Sequence, residues 1–249
     1  MCVHGFMDTW RTWELVLPAL ERHHDVLAPT LPGHAGGPPL PSKLSNDTLA
    51  DAVERAMDEA GFDTAHIVGN SLGGYVTLRL AERGRARTVV GLAPAGGWGP
   101  GDDSFKDILR LQASLHEQTK AVAPRAEAIV ATPEGRRRVT QYITANFEHI
   151  PQELLVHQLL GVAGCTGVQP LIDLALTDGW ALDPEQISCP VRIVWGTADR
   201  LLEWPSAAAR YGSDLLPHAD WVELDGVGHC PQLDVPLETA QLILGVTAG

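Results

Sequence analysis

Five consecutive residues, Gly69-Asn70-Ser71-Leu72-Gly73, fit the pattern G-x-S-x-G and join an apolar segment, His66-Ile67-Val68, directly to a helix-like stretch from Tyr75 to Arg83. A strand that runs straight into a helix must turn within one or two residues. The corner residue is then held in a strained backbone conformation, and bulky neighbours would collide. Glycine on both flanks meets that demand. The serine at the corner carries its hydroxyl out of the sheet, in the position of a nucleophile. The first N–H groups of the new helix have no intrahelical acceptor, so they face the same spot and favour an anion there. The pentapeptide thus predicts a strand, a sharp turn and a helix, with a nucleophile and its anion-stabilising donors in one place.

Short apolar runs alternate with amphipathic ones on either side of this corner. Met1-Cys2-Val3 passes at once into His4-Gly5-Phe6 and reads as the end of a buried strand whose beginning is missing. Trp13 to His23 has helical character, Asp25 to Ala28 reads as a strand, and Pro29 to Gly37, rich in proline and glycine, reads as a loop. Leu49, Val53, Ala56, Met57 and Ala60 recur at i, i+4, i+7, i+8 and i+11, one face of a helix, with Gly61 where a helix commonly stops. A further apolar strand at Thr88 to Leu92 keeps the rhythm. Such alternation predicts an α/β fold, a parallel sheet with helices on its faces.

From about Trp98 to Pro184 the pattern turns helical and is broken by Pro124, Pro133, Pro151 and Pro170. Each precedes a plausible helix, as expected where a first turn tolerates proline. Val191 to Gly196 resumes the strand rhythm. A helix near Ser206 to Tyr211, a strand at Trp221 to Leu224 and a last helix from about Val235 to Val246 follow. On this reading residues 1–97 and 186–249 form one α/β core of about six strands, and residues 98–185 are an insertion of short helices.

The bulk properties narrow the partners. Of 249 residues 45% are apolar, enough to core one globular domain with an elaboration. The net charge of −13 opposes nucleic acid and anionic membranes and leaves neutral or cationic small molecules as the easier partners. No run approaches the roughly 18 to 20 apolar residues of a membrane span. No basic-then-apolar leader opens the chain, so neither anchor nor export signal is expected and the cytoplasm is the default location. Cys2, Cys165, Cys189 and Cys230 show no C-x-x-C spacing, which indicates neither a disulfide framework nor a zinc site.

A serine hydroxyl needs an adjacent base, and the base needs a third group to fix its orientation. His229, in Gly226-Val227-Gly228-His229-Cys230-Pro231 after the last strand, is the best base among ten histidines. Asp199, in Gly196-Thr197-Ala198-Asp199-Arg200, follows the preceding strand and emerges from the same sheet edge. Asp220, Asp225 and Asp234 lie nearer His229 in sequence, and Asp102 and Asp103, after the strand Thr88 to Leu92, are the main rivals. The favoured chain order is Ser, Asp, His.

Four matches in order, His4-Gly5-Phe6, the Ser71 pentapeptide, Gly196-x-x-Asp199 and Gly228-His229, make the chain similar to α/β-hydrolase-fold proteins over essentially its whole length. Serine esterase- or lipase-like members with a helical cap are the nearest pattern. The resemblance implies Ser71, Asp199 and His229 as nucleophile, acid and base, and the backbone N–H groups of Phe6 and Leu72 as the oxyanion hole. It further implies that the helical insertion is a cap shaping substrate choice, and that no cofactor or metal is required. Family members usually carry two more strands before the His-Gly loop; without them Asp25–Ala28 presents an open edge.

The implied activity is hydrolysis of a small to medium carboxylic ester through an acyl-enzyme. The Gly-Asn-Ser-x-Gly-Gly elbow also occurs in meta-cleavage-product hydrolases, which break a carbon–carbon bond. Here, however, Phe6-Met7-Asp8 and Cys230 stand where those enzymes have a glycine- and proline-rich loop and, commonly, tryptophan. A slow-turnover ligand receptor on the same fold is the alternative from another class. Epoxide hydrolases and haloalkane dehalogenases carry aspartate at the elbow and are disfavoured. His4 and His34 read as loop-stabilising, Cys230 as a small buried hydrophobe, and Arg136-Arg137-Arg138 as solvated cap surface. Trp98 and Trp180 either line an acyl pocket or simply pack at the junction.

Overall fold

The computed structural model describes residues 1–99 and 101–247; Pro100 in the insertion and Ala248 and Gly249 at the C-terminus lie outside that description. Strands β1 (Cys2–Val3), β2 (Ala65–Asn70), β3 (Ala86–Leu92), β4 (Val191–Gly196) and β5 (Asp220–Leu224) form one sheet in the order β1-β2-β3-β4-β5. Every pairing is parallel. All strands therefore end at the same edge, where the loops that follow them converge.

The sheet has five strands and not about six, because Asp25–Ala28 does not form a strand. Its neighbour β1 is only two residues long, and the two segments share one bond, from Cys2 N–H to Leu27 O at 2.8 Å. A single rung does not make a ladder.

Strand residues alternate between the two faces, as a period of two requires. Cys2, Val68, Val90, Leu92 and Val194 are buried with Trp13, Val16, Leu20 and Ile243 on one side. On the other, Ile67 packs with Val53, Met57 and Leu80, while Val89, Ile193 and Trp195 pack with Leu78 and Tyr211.

The helices of the first half are α1 (Leu17–Leu20), α2 (Thr48–Glu59) and α3 (Leu72–Glu82). The helix expected at Trp13 to His23 is a 3-10 turn at Trp10–Trp13 followed by the four-residue α1, with Pro18, which has no N–H to donate, in its first turn. Arg79 of α3 and Arg83 at its C-terminal cap reach Asp47, and Arg83 also pairs with Asp51 at 2.8 Å and with Glu54, tying α3 to α2.

Between β3 and β4 run α4 (Ser104–Val122), α5 (Ala126–Val130), α6 (Pro133–Thr140), α7 (Gln152–Ala163) and α8 (Val168–Asp178). They form the cap. One apolar cluster joins Val130, Phe147, Ile150, Leu154 and Leu159 to Cys230 and Leu233 of the core, and another joins Leu109, Val168 and Ile172 to Met7. After β5 the chain ends in α9 (Pro231–Asp234) and α10 (Pro236–Thr247). The segment near Ser206 to Tyr211 is a short 3-10 turn at Ser206–Ala208 and a wider turn at Tyr211–Leu215. Among the described residues no single helix is long and apolar enough to cross a membrane.

Candidate active site

Ser71 stands between the last residue of β2 and the first of α3 with φ 54° and ψ −119°. The conformation is held from three sides: Ser71 N–H donates to Leu92 O at 2.9 Å, and Ser71 O accepts from Tyr75 N–H at 3.1 Å and Ala95 N–H at 3.0 Å. The flanking glycines are a steric necessity. A Cβ on Gly69 would lie 2.2 Å from Gly73 O, and one on Gly73 would lie 2.2 Å from Val3 O. Met7 (φ 61°) and Ala93 (φ 42°), just beyond β1 and β3, are the other non-glycine residues at positive φ among those described. Backbone strain is thus gathered at one stretch of the sheet edge.

His229 and Asp199 meet there. His229 Nδ1–H donates to Asp199 Oδ2 at 2.7 Å, and both side chains are buried. Asp199 Oδ1 accepts from Leu201 N–H at 2.8 Å and Leu202 N–H at 2.9 Å, which fixes the carboxylate. With the proton on Nδ1, Nε2 is the basic nitrogen, and it is buried without a hydrogen-bond partner among the described residues. Ser71 and His229 line one cavity but are not hydrogen-bonded to each other among the described residues. Such contacts commonly tighten only when substrate is bound.

The other candidate acids are occupied elsewhere. Asp220 accepts from Arg192 at 2.7 Å, Asp225 from the Thr197 hydroxyl at 3.1 Å and Asp102 from Ser104 N–H at 3.0 Å, while Asp103 pairs with Lys106 at 2.7 Å. Asp234, buried beside the histidine loop, accepts from the N–H groups of Gly228, Ala145 and Asn146 at 2.6, 2.7 and 2.9 Å. It ties the cap segment at residues 145–146 to the backbone next to His229.

The loop after β1 closes the site from the other side. A Cβ on Gly5 would lie 3.3 Å from Ser71 Cβ, so Phe6 follows at close quarters, and Leu72 opens α3, where its N–H has no intrahelical acceptor. His4 Nε2 accepts from Leu31 N–H at 2.9 Å while its Nδ1–H donates to Gly5 O at 2.7 Å, which pins this loop. Burial, with His34 alongside, holds His4 well below the usual histidine range, and burial brings His34 down to about 4. Both are neutral struts, as their loop positions suggest.

Ser71 lies where two cavities meet. A narrow slot of about 80 Å³ is bounded by Phe6, Tyr75, Trp98, Phe105 and Trp180 among others. Trp180 packs edge-on to Tyr75 at 5.0 Å and against Trp98 at 5.3 Å, so these tryptophans both pack and line the slot. The second cavity, about 450 Å³, runs from Asp8, Ser71, His229 and Cys230 under the cap past Gln112 and Gln158. The three arginines divide: Arg136 donates to the carbonyls of Phe147, Glu148 and Ile150, Arg137 lies over the Phe147 ring, and exposed Arg138 reaches the larger cavity.

Sequence reasoning missed one group of residues. Asn70 Nδ2 donates to Leu92 O at 3.1 Å and His229 O at 2.9 Å, and Asn70 Oδ1 accepts from Gln232 Nε2 at 3.2 Å and Cys230 Sγ at 3.3 Å. This net joins the serine corner to the histidine loop. The signal was a polar residue at a strand end expected to be buried.

Known proteins agree with this architecture. The model of the family described as "Alpha/beta hydrolase family" matches residues 1–242. Epoxide hydrolase EphH of Mycobacterium tuberculosis is 36% identical over 203 residues, 80% of this chain and 94% of that protein. The Pimeloyl-(acyl-carrier protein) methyl ester esterase of Aromatoleum aromaticum is 30% identical over 260 residues, 99% of this chain and 97% of that protein. Among solved structures, the meta-cleavage product hydrolase CumD of Pseudomonas fluorescens superposes with a TM-score of 0.72 at 21% identity, covering 99% of this chain and 89% of that one. That last likeness speaks for the fold alone.

Proposed function

This chain belongs to the alpha/beta hydrolase family, and we propose that it hydrolyses a small to medium carboxylic ester through an acyl-enzyme on Ser71. The observation that most supports this is the 2.7 Å bond between His229 and Asp199, which leaves the basic Nε2 free in the cavity that Ser71 also lines. His229 Nε2 takes the proton of Ser71 as Oγ attacks the ester carbonyl, and the Phe6 and Leu72 N–H groups stabilise the resulting oxyanion. The imidazolium, held by Asp199, gives that proton to the departing alcohol. The neutral imidazole then takes a proton from the water that attacks the acyl group and returns it to Ser71 Oγ as the acid leaves. The aromatic slot takes the acyl chain and the larger cavity takes the alcohol. The residues complete this sequence without a metal or organic cofactor.

Similarity to an epoxide hydrolase raises ring opening as a second reading. Chemistry at the corner weighs against it. Attack by a serine oxygen on an epoxide leaves an ether, which has no carbonyl for water to attack, whereas attack on an ester leaves an acyl group that water can remove. The methyl ester esterase, which is similar over nearly the whole chain, acts on a bond that a serine nucleophile can cleave.

Fluorophosphonate labelling followed by peptide mapping, with an ester panel of increasing acyl length, tests the reading. Label on Ser71, and multiple turnover that Ser71→Ala abolishes, are expected. Full turnover by Ser71→Ala, or a single slow burst with ligand-dependent destabilisation, would overturn it, the latter in favour of a receptor.

A further inference from the structure

Asp8 lies in the loop that carries Phe6, three residues after Gly5, and it lines the larger cavity together with Ser71, His229, Cys230 and Gln158. Its carboxylate accepts from Thr9 N–H at 2.8 Å, which together with the Thr12 side chain favours the charged form. Among the described residues no lysine, arginine or histidine pairs with it. A half-buried carboxylate without a counter-charge is costly, and its partial burial raises this one to about 6. The proposed ester chemistry makes no use of it.

Gln158 lines the same cavity. Gln158 Oε1, from α7, is buried without a partner among the described residues. The preceding residue, His157, is bonded through Nε2 to the Thr9 hydroxyl at 2.9 Å, which sets this turn of α7 against the Asp8 loop. Nothing between them supplies a cation. Burial pushes the Cys230 thiol well up, so it stays neutral, and exposed Arg138 is offset by exposed Glu134 one helical turn away.

We propose that Asp8 and Gln158 form a recognition site for an ammonium group on the alcohol portion of the substrate, so that this hydrolase prefers amino-alcohol esters to neutral ones. The inference rests on the assignment of Ser71 as nucleophile. The Asp8 carboxylate provides the charge, and the Gln158 carbonyl accepts the second N–H or faces the N-methyl groups. An ester seated at Ser71 with its alcohol in the larger cavity brings that group toward the Asp8 loop.

The test compares 2-(dimethylamino)ethyl butyrate with its neutral isostere 3-methylbutyl butyrate at neutral pH. The wild-type kcat/KM is expected to favour the cationic ester by about tenfold or more, the worth of one charged hydrogen bond. Asp8→Asn, which keeps the bond from Thr9 N–H, is expected to lower that preference about tenfold. Gln158→Leu should lower it about threefold, and Glu238→Gln, on exposed α10, by less than twofold. A purely structural role for Asp8 would slow both esters alike and leave the ratio in place. Equal rates on the two esters, or a ratio that Asp8→Asn leaves untouched, would overturn the proposal while leaving the Ser71 assignment standing. If neither ester is turned over, the Ser71 assignment fails, and thermal stabilisation by 5-(dimethylamino)pentan-1-ol against 6-methylheptan-1-ol reads the site directly. Stabilisation by the amine that is lost in Asp8→Asn supports it, and equal effects of the two alcohols overturn it.

Discussion

The carboxyl edge of the sheet and the cap that covers it are built on different principles. At the edge, position is set by backbone: Met7, Ser71 and Ala93 hold positive φ in the segments that follow β1, β2 and β3, and a Cβ on either glycine flanking Ser71 would collide with a backbone carbonyl. In the cap, among the described residues, no non-glycine residue holds such a conformation. Its helices are joined to the core by the Cys230–Leu233 and Met7 clusters and by the Asp234 bonds. The difference separates two tasks. Chemistry needs atoms held within a fraction of an ångström and sits where sterics over-determine the chain. Fit to a substrate needs only a lining, and the lining can change without moving the edge.

The deepest break in this contrast comes from changing the polarity of one side chain at the edge. Asp199→Asn keeps the shape but can present its amide N–H to His229 Nδ1, which favours the tautomer with the proton on Nε2 and removes the base. Ester hydrolysis is expected to fall by about 10⁴ in kcat with little change in KM, measured by steady-state kinetics on p-nitrophenyl butyrate. A loss under tenfold would mean that this pair is not the engine.

Next in size is Gly73→Ala. Its Cβ would sit 2.2 Å from Val3 O and 2.5 Å from His4 O, so α3 must retreat from β1 and carry the Leu72 N–H with it. A destabilisation of about 3 kcal/mol or more is expected in urea unfolding, the scale of severe overpacking, together with lost activity. Gly135→Ala in the cap is the instructive partner. Its Cβ also meets a carbonyl, Ile129 O, at 1.8 Å, but only short helices must shift, so activity should survive better than stability.

That contrast also explains what the sequence disclosed. The serine corner was legible because sterics restrict it to glycine, and the strands were legible because buried parallel strands must be apolar on both faces. Asp25–Ala28 misled because its pattern is that of a strand, while its pairing depends on β1, of which Cys2–Val3 is all that forms. Asp199 was favoured over Asp234 by its place after a strand, and the structure adds their different partners, His229 for the one and the backbone N–H groups of Gly228, Ala145 and Asn146 for the other. The two cavities were hidden. They are made by side chains from the insertion that meet in space with no period or motif to join them.

A smaller effect follows from a buried histidine and a half-buried carboxylate whose protonation works in opposite directions. His34, near 4, stays neutral when folded and takes up a proton when unfolded below the usual 6.5, so it lowers stability as the pH falls through that interval. Asp8, near 6 against an ordinary 3.8, binds its proton more tightly when folded, so it lowers stability as the pH rises from 3.8 to 6. Asp8→Asn is therefore expected to be more stable than the wild type at pH 7, by roughly 1 to 3 kcal/mol. The two proteins should converge below pH 4. Urea titrations across this range check the sign, and a variant less stable at pH 7 would show that the carboxylate is held by more than its bond from Thr9 N–H.

The mildest prediction concerns the lining itself. Trp180 closes one side of the slot by contact with Tyr75 and Trp98, while its indole N–H has no partner among the described residues, so its removal costs packing and leaves no donor stranded. In Trp180→Ala the slot lengthens while Ser71, Asp199 and His229 keep their supports, all of which come from the core. The optimum in an acyl-length panel is expected to move to longer chains, with a three- to tenfold fall in kcat/KM for butyrate, about 1 kcal/mol. Because the change reshapes a ground-state pocket and leaves the oxyanion donors alone, the fall should appear in KM more than in kcat. A profile that stays fixed would place the acyl chain in the larger cavity and reverse the assignment of the two, whereas a collapse of kcat would show that the cap, too, holds the reacting atoms.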